Sequence, residues 1–248
     1  MRRLFLDAAV FALLIAVWRW AQYASVPLES LGAIAILGLA AVPIISWFGR
    51  RSLDRLPTPE HAAGIASLVH YGMMLPLGLA IIAAIRLGIE WPWWVLPIPT
   101  PVGVALTWIF GVFTAATVIN LALRGLGAPF AIALSRRLAT DWFYSRTRNP
   151  MVLATLLFLV ALALRLRSTS LLTWSLLGAA PAWISMLKIY EERELGIRFG
   201  QSYQDYKERT PMLLPGIRFR AESGASSARS PRGEAGDGST TSARFTKI

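Results

Sequence analysis

The stretch Ile65–Leu87 reads IASLVHYGMMLPLGLAIIAAIRL, and Arg86 is its one formally charged residue. About 20 mostly apolar residues are what an α-helix needs to cross the hydrocarbon core of a bilayer. A lone extended segment would leave its backbone N–H and C=O groups unpaired in lipid, so the stretch is expected to be helical. Working outward, the same pattern recurs at about Leu4–Ala24, Leu28–Phe48 and Val102–Leu123. A further apolar region, about Met151–Ile189, is interrupted by Arg165-Leu166-Arg167-Ser168. Its first arm, Met151–Leu164, is shorter than a full span, and Leu171–Ile189 forms the returning arm of a helical hairpin. The expected fold is an all-α polytopic membrane helix bundle. It has about four full spans, then the C-terminal hairpin and a cytoplasmic amphipathic helix.

Composition supports the bilayer as solvent. The 248-residue chain is 55% hydrophobic and 16% charged, against roughly 25% charged in soluble domains. Its formal net charge of +11 arises from 25 Lys+Arg against 14 Asp+Glu. In a soluble protein that excess would point to nucleic acid. Here the basic residues sit between apolar runs, which points to loops facing anionic lipid and argues against a nucleic-acid partner. The absence of cysteine excludes disulfides, thiolate metal sites and cysteine lipidation.

Basic residues near helix ends set the expected orientation. Arg2 and Arg3 precede the first helix, Arg50, Arg51 and Arg55 follow the second, and Arg124, Arg136, Arg137, Arg146 and Arg148 follow the fourth. The other side holds Arg86, Arg165 and Arg167 with an interfacial belt of Trp91, Trp93 and Trp94. Both termini and the loop after the fourth helix are thus expected in the cytoplasm of a multi-pass protein, with the bacterial inner membrane the expected location. Arg2 and Arg3 could open a signal peptide, but the run continues through Trp18-Arg19-Trp20 without a following A-x-A site, so the first helix is expected to be retained. The segment 221–248, rich in Ser, Gly, Arg and Ala, has too little apolar surface to offset its ordering entropy and is expected to be disordered.

Two polar clusters flank the hairpin. The first runs from Arg136 to Pro150 (RRLATDWFYSRTRNP). Asn149 before Pro150 reads as a helix start, with Asn as cap and Pro at the first helical position. Such a start turns free N–H groups and the positive dipole end toward the arginines, a setting that suits an anion such as a carboxylate. A capped helix whose arginines touch lipid phosphates fits the same residues. The second cluster runs from Lys188 to Gly200 (KIYEERELGIRFG). Helical spacing would put Glu191 on one stripe with Leu195, Phe199, Tyr203 and Tyr206. A carboxylate on an inward stripe of a membrane helix is costly and is usually paired or functional. An exposed i,i+4 pair, such as Lys188 with Glu192, accounts better for Glu192 or Glu194 than for Glu191. His61 and His70 stand isolated, read as packing or capping residues, and suggest no metal.

The order of the pieces is specific: R-L-A-T at Arg137–Thr140, Tyr144, R-N-P-M at Arg148–Met151, Glu191-Glu192, and FGQSYQDYKERTPMLLP at Phe199–Pro215. This order resembles the isoprenylcysteine carboxyl methyltransferase family, with its bacterial relatives and the phospholipid N-methyltransferases, over about Leu123–Pro215. The resemblance implies S-adenosylmethionine as cofactor, held by Arg137, Leu138, Ala139, Tyr144, Asn149, Pro150, Met151, Val152 and Glu191. It divides the chain into a four-helix transmembrane region (1–123), a cofactor-binding region with the hairpin (124–220) and the tail (221–248). Val152 stands where the family commonly has Tyr, Ala154 where it has Gly, and Leu187 where the eukaryotic enzymes place a substrate-contacting Arg.

The chemistry of the cofactor agrees. Helix-start amides and Arg suit its carboxylate, Glu191 its ammonium, and apolar or aromatic walls its adenine. Methyl transfer to a lipidic or amphipathic acceptor, at a carboxyl oxygen or an amine nitrogen, needs alignment and desolvation more than a catalytic triad. Two other functions fit the pattern: a non-catalytic membrane protein retaining the fold, and an NADPH-dependent membrane reductase related to the sterol reductases.

Overall fold

A computed structural model describes residues 2–124, 138 and 140–215, with side chains from Ala9 onward in the first helix and through Leu121 in the fourth. Among these residues the chain is helical. Helix α1 spans Arg2–Tyr23, α2 Leu28–Arg55, α3 Pro59–Glu90, α4 Thr100–Arg124 and α5 Pro150–Arg165. The next run, α6, extends over Thr169–Phe199, and α7 over Gln201–Arg209. Four helices are long and apolar enough to cross a membrane: α2, α3, the Thr100–Leu121 part of α4, and α6. The segments Ala9–Tyr23 and Pro150–Arg165 are shorter apolar helices. The bundle expected from the sequence is therefore present, and the returning arm of the hairpin is long enough to be a span itself. The tail expected to be disordered and most of the arginine-rich loop lie outside the described residues.

Proline and threonine explain how α3 starts. Thr58 accepts a hydrogen bond from the His61 N–H at 3.3 Å, and Pro59 occupies the first turn, where its missing N–H costs nothing. Packing between spans relies on small residues and hydroxyls, as expected where lipid removes the hydrophobic drive between helices. On α2 the buried positions include Ala35, Gly38, Val42 and Ser46, and on α3 Ala62, Ala66, Ala80, Ala83 and Ala84. Thr107 of α4 donates to the Gly103 carbonyl at 2.8 Å and the Ala161 carbonyl of α5 at 3.3 Å. One core cluster joins Val42, Leu53, Val69 and Met73 to Val152, Met186, Leu187, Tyr190, Met212 and Leu213.

Helix α6 is not uniform. It passes through π-helical turns at Trp174–Ala179 and Leu187–Glu191 before the last α segment, Glu192–Phe199. Each π turn adds a residue to the winding and changes which side chains face the bundle. Gly200, at φ 53°, then ends the run. That left-handed backbone is open to glycine at little cost. It turns α7 away from the axis of α6.

At the α5–α6 turn the tryptophan-rich segment after α3 is bonded down. The Leu96 N–H donates to the Arg167 carbonyl at 2.9 Å and the Arg167 Nε to the Leu96 carbonyl at 2.9 Å. Val95 and Ser168 form an isolated antiparallel bridge. Arg86, Arg165, Arg167 and the tryptophans thus share one end of the bundle, as the loop pattern suggested.

Candidate functional site

The opposite end of the hairpin is built from four segments. The first is the turn before α5. Its 3-10 helix, Trp142–Ser145, is anchored by Phe143, whose ring meets Phe113 of α4 edge-on at 5.2 Å. The second is the start of α5. Pro150 takes the first helical position and is buried. The Asn149 side chain makes no cap; its amide donates to the Met212 carbonyl at 3.0 Å. The expected Asn cap is thus replaced by a tie to the C-terminal segment. The ψ of 60° at Asn149 departs from the extended backbone in which a capping side chain folds back onto the helix. Thr147 Oγ1 instead accepts from the Asn149 N–H at 3.4 Å and donates to the Met212 carbonyl at 3.1 Å. The helical ladder of α5 begins with the Leu153 N–H on the Asn149 carbonyl at 3.1 Å, so the Met151 and Val152 N–H groups precede it, unclaimed by the helix.

The third segment is the end of α6 and the fourth is α7 with the following Pro211–Leu213. Arg148 joins all of them. Its N–H donates to the Pro211 carbonyl at 2.9 Å, and its Nη1 donates to Glu192 Oε1 at 2.7 Å and to the Tyr203 hydroxyl at 3.2 Å. The other Glu192 oxygen accepts from Lys207 Nζ at 2.6 Å. Side-chain exposure is 9% for Arg148 and 17% for Glu192, so the pair is largely out of water, where a charge needs a partner. Tyr206 donates to the Tyr144 carbonyl at 2.7 Å. Burial raises the phenols of Tyr144, Tyr203 and Tyr206 well above the ordinary tyrosine value, and the negative charge of Glu191 adds to the rise at Tyr144 and Tyr203. All three stay protonated at neutral pH and serve as donors and ring surfaces.

The three glutamates have separate circumstances. Glu194 is buried at 3% exposure and pairs with Arg198 at 2.6 Å. Glu192 pairs with Arg148 and Lys207. Glu191 is half-buried and has no hydrogen-bond or ion-pair partner among the described residues. The single stripe expected from Glu191 to Tyr206 is broken at Gly200. The most inward glutamate is Glu194, because the π turn ending at Glu191 shifts the phase of the last α segment. Tyr203 and Tyr206 nevertheless turn back, at 2% and 4% exposure, onto the Arg148 turn.

Of the residues proposed from the resemblance, Tyr144, Asn149, Pro150 and Met151 stand at this end around the start of α5, and Glu191 closes the second π turn of α6. The Val152 side chain is committed to the core at 7% exposure, which leaves its backbone for a ligand. Leu138 is half-buried. Arg137 and Ala139 lie outside the described residues. Sequence reasoning missed the linking roles of Glu192, Lys207 and the Met212 carbonyl. The signal was present in E-E-R-E and K-E-R-T-P-M, but the chain reversal at Gly200 that unites them has no periodicity to reveal it.

Comparison with known proteins adds one relative. The chain is 31% identical over 161 residues to methanethiol S-methyltransferase 2 of Bradyrhizobium diazoefficiens, a match spanning 57% of this chain and 59% of the relative. No family model and no solved structure matches. The relative is a methyltransferase by name, and four helices of this chain are long and apolar enough to cross a membrane.

Proposed function

We propose that the protein is a membrane-embedded S-adenosylmethionine-dependent methyltransferase, with its donor site at the Arg148 end of the bundle. The observation that carries this reading is the set of groups there left unsatisfied by the fold. Arg148 Nε is buried without a hydrogen-bond partner, the Met151 and Val152 N–H groups precede the α5 ladder, and Glu191, within the field of Arg148, makes no hydrogen bond or ion pair among the described residues. Buried polar groups are normally paired, so such a cluster favours a ligand of matching charge. A zwitterionic amino acid with an attached cation fits. Arg148 Nε and the α5 amides would hold its carboxylate, Glu191 its ammonium, and Tyr144 and the neighbouring apolar side chains its base. When bound, S-adenosylmethionine supplies a methyl group activated by positive sulfur. The protein's own task is to hold it in line with an acceptor and to exclude water.

We place this end on the cytoplasmic side, supported by the arginines before α1, after α2 and after α4. The acceptor is an apolar or amphipathic molecule reaching the site from the bilayer. The relative named for methanethiol favours a thiol over the carboxyl or amine groups that the motif order alone suggests.

Calorimetric titration of the purified protein with S-adenosylmethionine, and separately with NADPH, tests the reading. Binding of S-adenosylmethionine without NADPH binding is expected. Binding of NADPH alone would favour a reductase, and binding of neither a non-catalytic role.

A further inference from the structure

Thr107, Thr114 and Thr117 of α4 each donate their hydroxyl to a carbonyl of their own helix at 2.8 Å. Asn120, the next inward polar residue, is not settled in this way. It is 3% exposed, and its Oδ1 is buried without a hydrogen-bond partner. Lipid cannot satisfy an inward amide, and polar groups so placed in a membrane helix are usually paired or functional.

Two placements put Asn120 beside the start of α5. The first is the register of the antiparallel α4–α5 pair. A Cβ at Gly103 would lie 2.5 Å from the Arg165 Cα, Thr107 Oγ1 lies 3.3 Å from the Ala161 carbonyl, and a Cβ at Gly111 would lie 3.5 Å from the Phe158 ring. Each step along α4 is matched by a like step back along α5, and the same register puts Asn120 level with Arg148 and Asn149. The second is its face. Asn120 follows Phe113 by two helical turns and so lies on the same side of α4. The Phe113 ring meets Phe143, in the turn that leads through Tyr144 to Arg148. Packed helices lie about 8–10 Å apart between axes, so a side chain on that face stands within one small polar group of the unclaimed α5 amides.

The atom left over selects that group. An amide oxygen only accepts, so it calls for a donor. Arg148 Nε and the α5 amides only donate, so they call for an acceptor. An α-amino acid carries both, ammonium and carboxylate, on one carbon. We propose that Asn120 is a further donor-site residue, its Oδ1 accepting an N–H of the ammonium of bound S-adenosylmethionine. This deepens the methyltransferase reading and rests on it. An ammonium has three N–H groups, so Glu191 and Asn120 each take one. Glu191 contributes charge, and Asn120 a fixed direction.

The test compares the wild-type full chain in detergent with Asn120→Leu, of similar size, and with Asn120→Ala, in which no clash can be the cause of a loss. Each is titrated calorimetrically with S-adenosylmethionine and with 5′-methylthioadenosine, which keeps the nucleoside but lacks the amino-acid arm. Thermal unfolding is followed without ligand. A hydrogen bond to a charged group corresponds to about tenfold or more in affinity. Both variants should therefore bind S-adenosylmethionine about tenfold or more weakly, and 5′-methylthioadenosine within about twofold of wild type. The unliganded midpoint of Asn120→Leu should not fall, because no described residue bonds to the side chain it removes. A fall in that midpoint would show that Asn120 serves the fold and overturn the assignment. Equal losses with the two ligands, or S-adenosylmethionine affinity within about twofold of wild type, would also overturn it while leaving the methyltransferase reading intact. A wild-type protein that binds no S-adenosylmethionine would overturn both.

Discussion

The two ends of the α5–α6 hairpin are closed by different chemistry. At the turn between the helices the backbone does most of the work. Thr169 Oγ1 donates to the Pro92 carbonyl at 2.8 Å and accepts from the Trp94 N–H at 3.0 Å, and Ser170 Oγ donates to the Trp91 carbonyl at 3.0 Å. Hydroxyls, backbone groups and the Arg167 guanidinium on the Leu96 carbonyl satisfy one another there. At the other end, long charged side chains reach across segments far apart in sequence, and buried atoms are left over: Arg148 Nε and the Tyr190 hydroxyl. The contrast separates an end that the chain completes by itself from one that a ligand would complete. A fold tolerates unsatisfied buried groups where function requires them.

The largest effect should come from stranding a charge at the open end. Glu192→Leu leaves Arg148 and Lys207 without their carboxylate. Breaking a buried pair by removing one partner costs about 3–5 kcal/mol, and thermal unfolding in detergent should register it as a large drop in midpoint. The double variant Arg148→Leu with Glu192→Leu should recover much of that stability, because no lone buried charge remains. It should bind S-adenosylmethionine no better than the single variant. Recovery of binding together with stability would show that Arg148 only braces the fold.

The next effect separates the neighbouring glutamates. Glu191→Gln should weaken S-adenosylmethionine binding by about tenfold or more, since a desolvated hydrogen bond to a charged group contributes roughly 1.5–3 kcal/mol. Its unfolding midpoint should hardly move, because Glu191 has no hydrogen bond or ion pair among the described residues to abandon. Glu194→Gln should do the reverse, lowering stability by leaving Arg198 with a weakened partner while changing affinity little. If the two variants exchange behaviours, the ammonium site belongs to Glu194.

Legibility in the sequence divides along the same line. The spans were legible because lipid makes one demand on each helix separately: enough apolar residues in a row. Pro150 at a helix start and the shared end for Trp91, Trp93, Trp94 and Arg167 were legible for local reasons too. The pairing of Arg148 with Glu192 and Lys207 was not. It depends on the positive φ at Gly200 and on the π turn at Leu187–Glu191, neither of which leaves a periodic trace in the sequence. The same π turn explains why a stripe drawn at α-helical spacing from Glu191 overran the helix and passed over the buried Glu194.

The smaller effects compare one hydrogen-bonding side chain from each end. Thr169→Val keeps the shape but removes the hydroxyl that serves both Pro92 and Trp94. Leaving such groups unpaired costs about 1–3 kcal/mol, so the unfolding midpoint should fall while S-adenosylmethionine affinity stays within about twofold. Asn149→Ala is the gentler change. Asn149 contributes no cap, so the roughly 1 kcal/mol usually lost with an N-cap side chain does not apply. The loss is the amide donor to the Met212 carbonyl, a neutral bond with a net value of about 0.5–1.5 kcal/mol. Thr147 Oγ1 still donates to that carbonyl at 3.1 Å, which keeps the effect near the low end. The position matters more for ligand than for fold, because the Met212 tie sets the direction in which α5 begins. Asn149→Ala should therefore lower stability less than Thr169→Val yet weaken S-adenosylmethionine binding more. A midpoint drop larger than that of Thr169→Val, with affinity unchanged, would mean that Asn149 anchors the C-terminal segment and has no part in positioning the site.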